Sequence, residues 1–133
     1  MKVGVTGTRK GATSFQITTL MRWFGQHATA ELHHGDCIGV DAQVAQIAWS
    51  HGIHVIAHPP TDPKNRAFSP AADETRPERP YMQRNHDIVD EVDVLLVVPK
   101  TMNEERRSGT WACYRYAKKR GKHVIVFYPE EQS

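Results

Sequence analysis

Short apolar runs rich in Val and Ile alternate along this chain with longer amphipathic segments, which is the pattern of βα units arranged around a parallel sheet. Five runs read as strands: Lys2 to Thr6, Ala30 to His34, Ile53 to Ala57, Asp93 to Val98, and His123 to Tyr128. Between the first two, Ile17, Leu20, Met21 and Phe24 stand at i, i+3, i+4 and i+7, and Thr13 with Gln16 forms a capping box ahead of them. A second helix is expected over Asp41 to Ser50, with Val44, Ile47 and Ala48 inward and Gly52 placed to end it in a left-handed turn. A third runs from Pro80 to Glu91, and a fourth opens at Ser108 or Thr110. The fourth ends in Lys118-Lys119-Arg120-Gly121, cations at the negative pole of the helix followed by a glycine stop.

These elements predict an α/β fold, a Rossmann-like three-layer sandwich with a five-stranded parallel sheet of order 3-2-1-4-5 and helices on both faces. At 133 residues the chain is long enough for one core and too short for two, so a single domain over 1-133 is expected. Residues 59-79 are rich in proline and charge and have no sustained periodicity. They read as a long surface loop, either a lid or an insertion without a role.

In such a sheet the ligand crevice lies beyond the carboxyl ends of the strands where the strand order reverses, here between the first and fourth strands. The first strand leads into Gly7-Thr8-Arg9-Lys10-Gly11, glycines that admit a close ligand and two cations that suit a phosphate. The fourth leads into Arg106-Arg107-Ser108-Gly109-Thr110, again small and hydroxyl residues at a helix start. Both helix amino termini are expected to converge on one anion site, with Arg9 and Gly109 in the same crevice.

After the second strand, Gly35-Asp36-Cys37-Ile38-Gly39-Val40-Asp41 crowds two glycines and two acids into one turn. Asp41 is expected to cap the second helix, whereas Asp36 is placed to meet a ribose hydroxyl, to orient a neighbouring loop, or to make an ordinary Asx-turn. On the third helix Tyr81, Ile88 and Val92 share a face whose remaining position is the polar Asn85, flanked by Arg84. Inward polar groups need partners, either the ligand or a nearby loop.

Composition narrows the function classes. Seventeen Lys and Arg against fifteen Asp and Glu leave a formal charge of only +2, too little for a surface that coats nucleic acid, so anion binding must be local. No apolar run is long enough to cross a bilayer and no leader-like stretch follows Met1, so a cytoplasmic protein without a membrane partner is expected. Cys37 and Cys113 read as free thiols. Eight histidines are present, His33, His34 and His58 near the sheet edge, but none at metal-ligand spacing, and neither a metal nor another cofactor is expected. Trp23 and Trp49 fall in amphipathic helices where packing outweighs stacking, which disfavours single-stranded DNA binding.

Gly7-Thr8-Arg9, His34-Gly35 with Gly39-Val40-Asp41, Arg84-Asn85 and Ser108-Gly109-Thr110 occur in the order in which similar motifs occur in the SLOG superfamily, which groups DprA-type DNA-processing domains with LOG-type phosphoribohydrolases. The resemblance spans nearly the whole chain. It implies a Rossmann-like sheet, a nucleotide-derived ligand and a homodimer formed through the helices. Gly7, Thr8, Arg9, Gly35, Asp36, Gly39, Asp41, Arg84, Asn85, Ser108, Gly109 and Thr110 are the corresponding ligand-binding candidates. LOG enzymes carry Pro-Gly-Gly-x-Gly-Thr-x-x-Glu, whose glutamate assists N-glycosidic cleavage. The matching stretch here, Glu105 to Cys113, puts cysteine in place of that acid. The leading expectation is therefore a protein that binds a nucleoside phosphate or a nucleotide-derived signal. The alternatives are a phosphoribohydrolase acting on nucleoside 5′-monophosphates, with Asp36, Glu104 or Glu105 as substitute acid, and DNA binding in the DprA manner.

Overall fold

In the computed structural model, which describes residues 1–131, ten elements follow in the order β1 (Lys2–Gly7), α1 (Ser14–Gln26), β2 (Glu31–His34), α2 (Val40–Ser50), β3 (His54–Ala57), β4 (Glu74–Thr75), α3 (Tyr81–Glu91), β5 (Val94–Val98), α4 (Gly109–Lys119) and β6 (His123–Val126). All strand pairs are parallel and the sheet order is β4-β3-β2-β1-β5-β6. The expected five-strand order is intact within it. The correction is a sixth strand, β4, which extends the edge beside β3 from within the stretch read as loop. Its two residues are exposed and polar, so no apolar run announces it.

Alternation along each strand builds the two cores. In β5, Val94, Leu96 and Val98 join Leu20, Trp23, Phe24, Val44 and Ala48 of α1 and α2, whereas Leu95 and Val97 join Val89, Cys113 and Ala117 of α3 and α4. The sheet is thus covered on both faces, as a parallel sheet requires. Thr13 and Gln16 form the expected capping box, and Gly52 (φ 74°) and Gly121 (φ 72°) end α2 and α4 in left-handed turns. The buried Gln16 also donates from Nε2 to Pro99 O and Phe127 O, both at 2.8 Å, tying α1 to the carboxyl ends of β5 and β6. No helix among the described residues is long and apolar enough to cross a membrane.

Candidate functional site

The switch point between β1 and β5 opens into a cleft of about 770 Å³. Gly7, Thr8, Arg9 and Lys10 form one wall and Ser108, Gly109 and Thr110 the other, so Arg9 and Gly109 do share one crevice. Its size is that of sites that hold a small organic ligand. Six basic side chains line it, Arg9, Lys10, Lys64, Lys100, Arg106 and Arg107, against two acids, Asp62 and Glu105. Among the described residues no salt bridge engages any of the six, whereas Arg66, Arg76, Arg79, Arg115 and Arg120 each pair with a carboxylate. A chain that is nearly neutral therefore gathers six cations without a carboxylate partner around one opening.

The two helix starts contribute unequally. Ser108 caps α4 by accepting from Trp111 N at 3.3 Å, and residues 108–110 line the cleft, so the positive pole of α4 faces the cleft. The α1 terminus does not. Thr13 Oγ1 accepts from Gln16 N, Gln16 Oε1 accepts from Thr13 N, and Gln43 Oε1 accepts from Ala12 N, so protein side chains already hold these donors. None of residues 11–13 lines the cleft. The β1–α1 turn therefore offers Arg9 and Lys10 rather than a helix pole.

That turn is fixed from two sides. Thr8 N donates to Val98 O at 3.1 Å, and Thr8 O accepts from Val40 N at 3.1 Å. Gly39, at φ 89° and ψ −128°, lets the β2–α2 loop lie directly on the Thr8–Arg9 backbone. Asp41 does not cap α2, whose cap residue is Gly39 and carries no side chain. Its Oδ2 instead accepts from Gly35 N at 3.0 Å and Cys37 N at 3.3 Å, bracing the loop from inside. Burial pushes the Asp41 carboxyl up to about 6, with Arg84 and those two amides pulling it back.

Asp36 takes the loop-orienting role. At φ 53° its Oδ2 accepts from Arg66 Nε at 3.0 Å and its Oδ1 from Ser69 N at 3.0 Å, and its carbonyl accepts from Ala67 N at 2.7 Å. Ile38 N donates to Asn65 O at 2.9 Å. These bonds dock residues 59-79 against the site, and Pro60, Asp62, Lys64 and Asn65 become a third side of the cleft.

Arg84 is 2% exposed and turned inward. Its Nη1 donates to Gly35 O and to His58 O, the latter at 3.0 Å, and its Nε to Asn85 Oδ1 at 2.8 Å. Of the two partners open to it in the sequence, the neighbouring loops are the ones it meets. Gly35 is needed because a Cβ there would fall 2.4 Å from Arg84 Nη1 and 2.9 Å from Asp41 Oδ2. Tyr81, placed by the sequence on the apolar face of α3, is instead 46% exposed and lines the cleft with Met82. Gly109 makes room for it, since a Cβ there would lie 2.4 Å from the Tyr81 hydroxyl.

Cys113, at the place of the LOG glutamate, is 4% exposed and packed under α4 with Val89, Leu95 and Val97. Burial pushes its thiol up to about 12, so it is neither an acid nor a nucleophile at neutral pH. Glu104 pairs with Arg115 at 2.9 Å and does not line the cleft; Asp36 is held as described; Glu105 alone of the candidate acids lines it. Trp23 and Trp111 are core residues and Trp49 is exposed on α2, so no tryptophan reaches the cleft.

No family model matches the chain, and no curated protein matches it either. Similar solved structures exist. The molybdenum cofactor binding protein from Rippkaea orientalis superposes with a TM-score of 0.73 at 23% identity, over 97% of this chain and 77% of that one. DNA processing protein A from Streptococcus pneumoniae gives 0.70 at 20% identity, over 94% and 49%. The Helicobacter pylori DprA, described for its single-stranded DNA binding mode, gives 0.67 at 20% identity, over 95% and 64%. At these identities the likeness is one of fold: the chain shares a Rossmann-like fold with these proteins.

Proposed function

We propose that this protein binds a phosphate-bearing nucleotide ligand in the β1/β5 cleft. The supporting observation is six unpaired cations and the amino terminus of α4 surrounding one space of ligand size. Arg9, Lys10, Arg106 and Arg107 take the phosphate, and the donors of the Ser108–Thr110 turn complete its shell. Tyr81 and Met82 supply the apolar wall on which a base lies. Arg84, Asp41, Gly35 and Gly39 act one step back, holding the loops that carry those contacts. Helix-mediated pairing of two copies is part of the same proposal, as the resemblance implies.

Calorimetric titration with AMP, GMP, CMP and UMP, and with the parent nucleosides, tests the reading. A charge-assisted phosphate contact is worth about 1.5–3 kcal/mol, so at least one monophosphate is expected to bind roughly tenfold to a hundredfold tighter than its nucleoside. Equal affinity, or no binding across the panel, would contradict it.

A hydrolase reading rests on Glu105, the one candidate acid at the cleft, which accepts a 3.4 Å hydrogen bond from Thr101 Oγ1. Chromatography for free base in the same mixtures separates the two. Release at about one turnover per second or faster, lost in Glu105→Gln, would favour hydrolysis.

A further inference from the structure

A second constellation lies away from the cleft, on the α3 side of the sheet. Strand pairing puts His33 opposite Ile56, and His58 N donates to His34 O at 2.8 Å, so the His33 and His58 rings meet across the β2–β3 ladder. His33 Nδ1 and His58 Nε2 are 2.8 Å apart, and Glu91 Oε2, from the last residue of α3, stands 3.6 Å from the first and 3.4 Å from the second. Both rings are buried, whereas Glu91 is exposed and closes the group from the solvent side. None of the three lines the cleft.

We propose that His33 Nδ1, His58 Nε2 and Glu91 Oε2 bind one divalent transition-metal ion of the Zn²⁺ class, leaving its fourth position to water. Two imidazoles and a carboxylate form a donor set suited to zinc. Ligands about 2.05 Å from a tetrahedral ion stand about 3.3 Å from one another. The observed separations of 2.8, 3.4 and 3.6 Å bracket that value, so the rings need part by only a fraction of an ångström.

The surroundings orient the donors as a metal site requires. Glu31 Oε1 lies 2.9 Å from His33 Nε2. A proton held there directs the Nδ1 lone pair at the centre of the group, the carboxylate–histidine–metal arrangement in which an outer acid fixes the tautomer of a ligand. Arg76 Nη2 holds the other oxygen of Glu91, Oε1, at 3.2 Å and leaves Oε2 facing the rings. The charge of Arg76 opposes a cation nearby, and Glu31 offsets it. Without metal, one proton between the two rings satisfies both nitrogens; the ion takes that proton's place. The ligands come from three elements far apart in sequence, which is why no ligand spacing betrays them.

The test is zinc titration of chelator-treated full-length protein by calorimetry, with Co²⁺ absorption as a probe of geometry. One ion per chain is expected, with visible bands of tetrahedral cobalt. Glu31→Gln should weaken binding by about tenfold to a hundredfold. His58→Gln should abolish both signals, and the half-exposed Glu91→Gln decides the matter if the buried histidine variant does not fold by circular dichroism. Failure of the wild type to bind Zn²⁺ saturably overturns the proposal. So does binding unchanged in Glu91→Gln, which would locate the ion on other histidines.

Discussion

Arg84→Ala is expected to lower the unfolding free energy by about 3–5 kcal/mol, the range seen when one partner of a buried charged network is removed. The substitution strips Gly35 O and His58 O of their guanidinium donor and Asn85 Oδ1 of the Nε contact. It also removes the strongest influence opposing the rise in the pKa of the buried Asp41 carboxyl. Lysine in its place restores little, because one ammonium cannot span two carbonyls and an amide at once. Arg120→Ala is the control. Its pair with Asp90 at 3.3 Å is exposed, and such pairs contribute about 1 kcal/mol at most. Urea unfolding of both variants measures the difference, and a loss below about 1 kcal/mol for Arg84→Ala would mean that the inward network is dispensable.

Gly39→Ala is expected to damage stability and ligand binding together. At φ 89° an alanine is strained, and its Cβ would fall 2.6 Å from Arg9 C, Arg9 O and Thr8 O, backbone atoms that cannot rotate away. Strain of this kind costs about 1–3 kcal/mol before the clash is counted. Relief requires the Thr8–Arg9 turn to move, which stretches the 3.1 Å bond from Val40 N to Thr8 O and carries Arg9 off the cleft wall. Gly25, in the last turns of α1 with nothing within 4 Å of an added Cβ, provides the contrast. There alanine should be neutral or stabilising by up to about 1 kcal/mol. Thermal unfolding of the two variants, with nucleotide titration of whichever folds, separates loop geometry from a general aversion to side chains at glycine positions.

The positions of these effects were unevenly legible in the sequence. The alternation of β5, the capping box of Thr13 and Gln16 and the glycine stops at Gly52 and Gly121 are local codes, and each forms as its residues dictate. The cleft was legible because a switch point needs only strand order and the loops leaving two strands. β4 was hidden because an exposed two-residue edge strand buries nothing. The inward turn of Arg84 depends on carbonyls 49 and 26 residues away, a proximity that no spacing rule conveys. Asp41 likewise sits where a cap is expected, yet Gly39 begins the helix and the carboxylate turns back to the amides of its own loop. Lys64 and Lys100 reach the cleft from a loop and a strand end that carry no motif. The unpaired state of all six cations was visible only once Arg66, Arg76, Arg79, Arg115 and Arg120 had found their acids.

The most direct measurement is the affinity of the tightest nucleoside monophosphate for Arg9→Ala and Arg120→Ala against the wild type, by calorimetry at one ionic strength. Both variants lose one positive charge, so long-range attraction, screened over about 10 Å at 0.1 M salt, changes about equally. Arg9 lines the cleft and is unpaired, whereas Arg120 caps the far end of α4 against Asp90. The account predicts a loss of about tenfold or more for Arg9→Ala and less than about twofold for Arg120→Ala. Equal losses in the two variants, or none in either, would contradict a phosphate site between β1 and β5.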